Sequence, residues 1–200
     1  KIGVVLQNVE EQLIGPTVME DIMLSPINFG YSKSEAEKLA FEIMEKLEIT
    51  DLKDKIIHYL SGGEKRKVAL AGALVHKPEL LILDEPFANL DARSESEYLK
   101  TIEEISDDNG NSIVISTHNV ELAAKFADTV YLISKNHIST KKPASELLYL
   151  EDELEKYNLE EPSIIKLVKI LKNNDINLGN PKNIDEISSI LLKKLLTNIK

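Results

Sequence analysis

An α/β fold built on a parallel, doubly wound sheet is what this sequence predicts, and three observations predict it. The run Leu80-Leu81-Ile82-Leu83 is apolar, four residues long and stops at two acids, Asp84-Glu85. The run Ser112-Ile113-Val114-Ile115-Ser116 is a second short apolar segment, and Thr129-Val130-Tyr131-Leu132-Ile133 a third. Between them lie stretches of helical period, near residues 94–105 and 120–126. Strands that alternate with helices are connected by crossovers, which makes their sheet parallel. In such sheets, ligands gather outside the carboxyl ends of the strands.

The elements follow in chain order. Ile2-Gly3-Val4-Val5-Leu6 reads as a buried strand, and Gly15-Pro16 punctuates the loop after it. Ser32 and Glu35 have capping-box spacing ahead of Ala36, Leu39, Ala40, Ile43 and Leu47, an apolar face at helical period. A further helix runs over 62–75 and stops before Pro78. From Pro143, suited to a first helical turn, the pattern is helical. A polar break over 173–181 precedes a last helix near 184–196. The predicted domains are a core of 1–25 and 77–142, a helical subdomain of 26–76, and a helical extension of 143–200. A chain that opens on its own core strand, at Lys1 rather than Met, predicts further sequence upstream.

Composition excludes several classes. The net charge is −10, from 34 acidic and 24 basic residues, and the basic runs Lys65-Arg66-Lys67 and Lys141-Lys142 are short. This is not the footprint of a nucleic-acid binder or of a protein held electrostatically on anionic lipid. Without cysteine there is no disulfide and no thiolate metal site. No apolar stretch approaches the ~18–20 residues of a spanning helix. A membrane link therefore runs through a partner.

Four places carry candidate chemistry. Asp84 and Glu85 end a buried strand, where carboxylates are costly unless a cation or a reaction uses them. One could hold Mg²⁺ and the next could polarise a water for attack on phosphorus. The same pair also suits a solvated strand-to-loop turn. In Leu60-Ser61-Gly62-Gly63-Glu64, a capping serine and two glycines leave backbone N–H groups approachable at a helix N-terminus, which is an anion site or simply a well-capped helix. His118 follows a strand in Ser116-Thr117-His118, placed to donate to a phosphate or to serve as a polar loop residue. Gln7 ends the first strand, where it could orient a water or a metal, or satisfy backbone groups.

The order and spacing of these pieces resemble the ATP-binding-cassette (ABC) ATPases. Leu60-Ser61-Gly62-Gly63-Glu64 is similar to their signature motif, the strand ending in Asp84-Glu85 to their Walker B strand, and Ala88-Asn89-Leu90-Asp91 to their D-loop. His118 falls where their switch histidine lies and Gln7 where their Q-loop glutamine lies. Residues 6–21, Val68 to Gly72 and Leu159-Glu160-Glu161-Pro162 also resemble the energy-coupling-factor group, which includes cobalt and nickel uptake proteins.

The resemblance implies a partial P-loop NTPase (RecA-like) core with an inserted helical subdomain and a helical C-terminal extension. It implies ATP and Mg²⁺ as ligands. Asp84 would position Mg²⁺, and Glu85 would be the general base. Gln7 would sense metal and γ-phosphate, and His118 would contact the γ-phosphate. Ser61, Gly62 and Gly63, with Glu64 beside them, would grip ATP held by a second ATPase subunit, and Asp91 would work across that dimer. Transmembrane subunits would be the further partners, at the cytoplasmic face of the membrane. The implied cargo is cobalt, nickel or a vitamin.

Two departures stand out. Glu64 replaces the commoner glutamine, and is expected to turn away or pair with Lys65 or Arg66. None of the eight glycines opens the Walker A pattern G-x-x-x-x-G-K-[ST], which supplies the phosphate cradle and its lysine. The adenine-stacking aromatic is missing with it. The expectation is that these 200 residues alone are inactive and that the parent hydrolyses ATP. The alternative is a non-hydrolysing partner that lends only its signature loop. A cassette protein of DNA repair or translation is disfavoured by the acidic balance and the lack of heptads.

Overall fold

The computed structural model describes residues 1–109, 112–135, 137–147, 151–179, 181 and 184–197. The chain divides into two units, Lys1–Thr117 and His118–Lys200. Residues 110, 111 and 136 of the predicted core lie outside the described residues. So do 148–150, 180, 182, 183 and 198–200 of the predicted extension.

In the first unit, three parallel strands form one sheet: β1 (Ile2–Val5), β2 (Leu80–Asp84) and β3 (Ser112–Ser116), in the order β1-β2-β3. The register pairs Val5 with Leu83, and Asp84 with Ser116. All three carboxyl ends therefore share one edge. Leu81, Leu83 and Val5 are buried, and they anchor the central strand and its neighbour in the core.

Three helices separate β1 from β2. They are α1 (Val18–Asn28), α2 (Lys33–Lys46) and α3 (Gly62–Leu74). The first begins before the predicted boundary at residue 26 and carries Pro26 near its end. A proline there removes one N–H late in the helix, where little helix remains to be broken. The capping box predicted at Ser32 and Glu35 is present. Helix α3 is buried at Val68, Ala69, Leu70, Ala71, Ala73 and Leu74, more than one face of a helix. It packs against α1, α2 and β1, so small alanines alternate with larger aliphatics to let three neighbours approach. Between β2 and β3 runs α4 (Ala92–Asn109), with Tyr98, Leu99, Ile102 and Ile105 buried along one stripe.

The second unit opens with α5 (Val120–Phe126), as the sequence predicts. The predicted third strand over 129–133 is not part of the parallel sheet. It is split into β4 (Thr129–Val130), which pairs antiparallel with β7 (Lys142–Pro143), and β5 (Ile133–Ser134), which pairs with β6 (His137–Ile138). The break falls at Leu132, whose N–H donates to Ser139 Oγ instead of a ladder partner. Four short helices follow: α6 (Ala144–Leu147), α7 (Glu151–Lys156), α8 (Ser163–Lys172) and α9 (Ile184–Thr197). Pro143 stands directly before α6. Among the described residues, two apolar clusters hold this unit. One centres on Val120, Leu132, Leu147 and Leu154, the other on Val168, Leu178 and Ile187.

Candidate functional site

The parallel register decides what meets at the sheet edge. Asp84 is the last residue of β2, and Ser116, its partner, the last of β3. The β1–β2 ladder ends at Val5 and Leu83, and Gln7 lies two residues past the end of β1, where the chain has left the strand and the Leu6 N–H donates to Gln12 Oε1. Asp84, Glu85 and Ser116 meet at the carboxyl edge of one sheet, where crossover folds present their ligand sites, and Gln7 follows the same end of β1. Gln7 and Asp84 are exposed and Glu85 is half-buried.

Ser116 ties the two acids together. Its hydroxyl donates to Asp84 Oδ1 and accepts from the Glu85 N–H at 2.9 Å. The Glu85 N–H also reaches the Ser116 carbonyl at 3.2 Å. Glu85 needs this support because its φ is +42°, in the left-handed region that side chains other than glycine's disfavour. The chain turns sharply there. Ala88 N donates back to the Glu85 carbonyl at 3.1 Å, and Asn89 again has positive φ, +60°.

The second cluster is the N-terminus of α3. Ser61 is its N-cap, with a full capping box: the Ser61 hydroxyl accepts from Glu64 N, and the Glu64 carboxylate accepts from Ser61 N at 2.7 Å. The predicted pairing of Glu64 with Lys65 or Arg66 is not what forms. Glu64 pairs with Lys55 at 3.0 Å, because the third position of the helix, in its first turn, reaches back over the cap rather than along the helix. The Ser61 N–H holds the Glu64 carboxyl below the usual carboxylate range. Lys65 pairs instead with Glu10, in the loop after β1. Gly62 and Gly63 occupy the first two helical positions, whose N–H groups have no intrahelical acceptor. A methyl group at residue 62 would meet nothing within 4 Å, and at residue 63 only Ser94 Oγ at 4.0 Å. Nothing inside the unit requires these two to be glycine. Beside them opens a cleft of about 250 Å³ whose lining includes Ser61, Gly63, Glu64, Arg66, Ser94 and Tyr98.

Asp91 is the cap of α4. Its carboxylate accepts from Arg93 N and Ser94 N at 3.0 Å each and from Ser94 Oγ at 2.7 Å. The Ser94 N–H chiefly lowers its pKa. His118 is exposed and opens the second unit, one residue before Asn119, the N-cap of α5.

Two contributors were missed at the sequence level. Ser116 was quoted only as part of the strand leading to His118. The signal was available: a hydroxyl at the end of an apolar strand, neighbouring a strand that ends in acids. Arg66 was read as part of a short basic run, yet it is buried. Positions 66, 69, 70 and 73 lie at i, i+3, i+4 and i+7, which sets this arginine in line with buried Ala69, Leu70 and Ala73.

Comparison with known proteins follows the same lines. A family model described as ABC transporter matches residues 1–88. A putative ABC transporter ATP-binding protein of Methanothermobacter marburgensis is 38% identical over 182 residues, 90% of this chain and 65% of the relative. The chain thus spans just under two thirds of that relative's length. An energy-coupling factor transporter ATP-binding protein of Methanosphaera stadtmanae is 34% identical over 198 residues, 98% of this chain and 71% of the relative. Among solved structures, CbiO1 from Clostridium perfringens, part of the ABC transporter complex CbiONQ, has a TM-score of 0.69 at 33% identity. That match covers 84% of this chain and 67% of the other.

Proposed function

The chain belongs to the ABC transporter family of ATP-binding proteins, and on that premise we propose that it is the motor of an energy-coupling-factor importer, hydrolysing ATP to drive a membrane partner. The observation that carries this is Asp84 and Glu85 at the sheet's carboxyl edge, tied through Ser116.

Glu85 takes a proton from water as the water oxygen attacks the γ-phosphorus. The bond from that phosphorus to the β,γ-bridging oxygen breaks, and ADP leaves with its electron pair. Asp84 is suited to Mg²⁺, since one carboxylate oxygen is steadied by Ser116 and the side chain is exposed. Among the described residues no group of three or more His, Cys, Asp or Glu could cage a metal. Mg²⁺ keeps waters and is bound by one or two carboxylates plus phosphate oxygens. When bound with ATP, it would offset charge on the β- and γ-phosphates. Gln7 orients the attacking water and links the site to the membrane partner. His118 steadies the γ-phosphate.

The N-terminus of α3 acts on a second subunit's nucleotide. Ser61, Gly62 and Gly63 grip its γ-phosphate: the two glycines present main-chain N–H groups at the positive end of the helix dipole, and Ser61, whose own N–H is held by Glu64, caps them. The open space over both glycines supports this, since a phosphate can approach to van der Waals contact. Glu64 serves as part of the cap, and Asp91, beyond capping α4, works across the subunit interface. The phosphate cradle comes from residues other than these 200. Transmembrane partner subunits hold the chain at the cytoplasmic face, a reading that rests on the likeness to a subunit of the CbiONQ transporter complex. The cargo, by resemblance, is a metal ion such as cobalt or nickel, or a vitamin.

The test is ATP hydrolysis by the full-length chain, wild type against Glu85→Gln. A loss of roughly 10²–10⁴-fold in kcat with nucleotide binding retained is the expected result for a general base. A wild-type chain that binds Mg-ATP without turning it over would make it the non-hydrolysing partner instead. In parallel, calorimetry on residues 1–200 alone should show no Mg-ATP binding. Micromolar affinity there would overturn the assignment of the cradle to other residues.

A further inference from the structure

Arg66 joins the two clusters of the site. It lies in the second turn of α3, five positions into the helix that begins at Gly62, and it is 7% exposed. Its Nε donates to the Pro86 carbonyl at 3.0 Å, and its Nη2 donates to the Ala88 carbonyl. Both carbonyls belong to the turn that leaves Glu85. Phe87, between them, meets Tyr98 of α4 edge-on, with ring centroids 6.1 Å apart. The turn is bracketed by two residues at positive φ, Glu85 and Asn89.

A backbone held in a sparsely populated region persists only when its surroundings fix it. At Glu85 the fixing comes from two sides. Ser116 holds its N–H, and the turn beyond it is pinned by the guanidinium. A planar fork with several donors can serve two carbonyls two residues apart, which a lysine ammonium cannot match in geometry. Burial makes the bond to Pro86 count most, because that carbonyl would have no water to replace the donor, while the Ala88 carbonyl is partly covered.

We propose that Arg66 is a positioning residue for hydrolysis: it fastens the helix that presents Ser61–Gly63 to the turn that aims Glu85, so that the helix position and the base's placement move together. This rests on the reading of Glu85 as general base.

The experiment is steady-state ATP hydrolysis by the full-length chain in four forms: wild type, Arg66→Lys, Glu85→Gln and the double variant. Arg66→Gln is a second probe should the lysine variant fold poorly, as judged by circular dichroism. The expected result is a kcat at least 10-fold lower for Arg66→Lys and Arg66→Gln, with KM for Mg-ATP within about 2-fold. In the Glu85→Gln background the same change should alter the residual rate by less than about 2-fold, because there is no base left to aim. Wild-type kcat in both Arg66 variants would overturn the inference. So would a raised KM, or a loss that multiplies in the Glu85→Gln background, which would show action elsewhere than through Glu85. If Glu85→Gln itself hydrolyses normally, the failure belongs to the reading of the base and not to Arg66.

Discussion

At Ser116 one hydroxyl serves two acids, donating to Asp84 and accepting from the Glu85 N–H. Ser116→Ala should lower stability by about 1 kcal/mol or less, since the site is exposed and the Glu85 N–H keeps the Ser116 carbonyl. It should lower full-length kcat about 10-fold, and Ser116→Thr, which restores a hydroxyl, should recover most of it. An alanine variant with unchanged hydrolysis would remove Ser116 from the site. Asp21 makes a different residue-scale prediction. Its carboxylate accepts from Ile14 N at 2.8 Å and Gly15 N at 2.7 Å, yet burial, the larger effect, pushes its pKa up. A raised folded-state pKa means that the native state favours the proton, so this group's contribution to stability is lost as pH rises through that pKa. Asp21→Asn keeps an acceptor and drops the charge. Its melting temperature should therefore match or exceed wild type at pH 8, with the advantage shrinking as pH falls toward the ordinary carboxylate range and Asp21 takes up its proton. Asp21→Leu should cost roughly 1–3 kcal/mol in all, since it leaves two partly buried N–H groups unpaired, of which water can reach the one on exposed Ile14. The acids of β2 were legible in the sequence because carboxylates ending an apolar run are costly. Asp21 was not, because its donors are loop N–H groups six and seven residues before it, which no helical or strand period marks, with Gly15 so close that a methyl there would sit 2.6 Å from Asp21 backbone atoms.

Two helices begin with the same device. Ser32 caps α2 and Ser61 caps α3, each with a glutamate at the third position completing the box. The sequence announced the first through its spacing ahead of an amphipathic run. At the second, the glycines and the glutamate pointed to an anion site, and the box itself accounts for the serine and for Glu64. The two boxes separate capping from function. Ser32→Ala and Ser61→Ala should each lower stability by about 1 kcal/mol, read by chemical denaturation. Only Ser61→Ala should also depress full-length hydrolysis, by more than the lost stability explains. Equal and purely structural effects would mean that the α3 N-terminus is a helix start and nothing more. Helix α3 also shows why burial was harder to read than existence. Its run of alanine and leucine has weak amphipathicity because three neighbours cover it, and Arg66 hides within that run.

Over the whole molecule, the legible part was the one built from parallel pairing. Parallel strands read as short apolar runs, and those of β1, β2 and β3 fall in register as expected, but the burial expected of β1 holds on one face alone: Val5 is buried, while Ile2, Val4 and Leu6 are exposed, as is Val114 of β3. The run over 129–133 looks the same in sequence but belongs to two-residue ribbons, and a run of five residues does not record whether its partner lies along or against it. The second unit instead rests on two apolar clusters that draw on different helices. Val120, Leu132, Leu147 and Leu154 form one, drawing on α5, α6 and α7. Val168, Leu178 and Ile187 form the other, drawing on α8 and α9. Clusters that share no residue should lose order separately. Leu154, 1% exposed, is the most buried member of the first. Truncating it to alanine removes buried methyls and leaves a cavity, a loss of about 2–5 kcal/mol to the elements it joins. Hydrogen exchange should then accelerate among amides of α5 and α7, while those of α8 and α9 keep their protection. Equal acceleration in α8 and α9 would show that the two clusters melt as one body, and that the second unit is a single cooperative core.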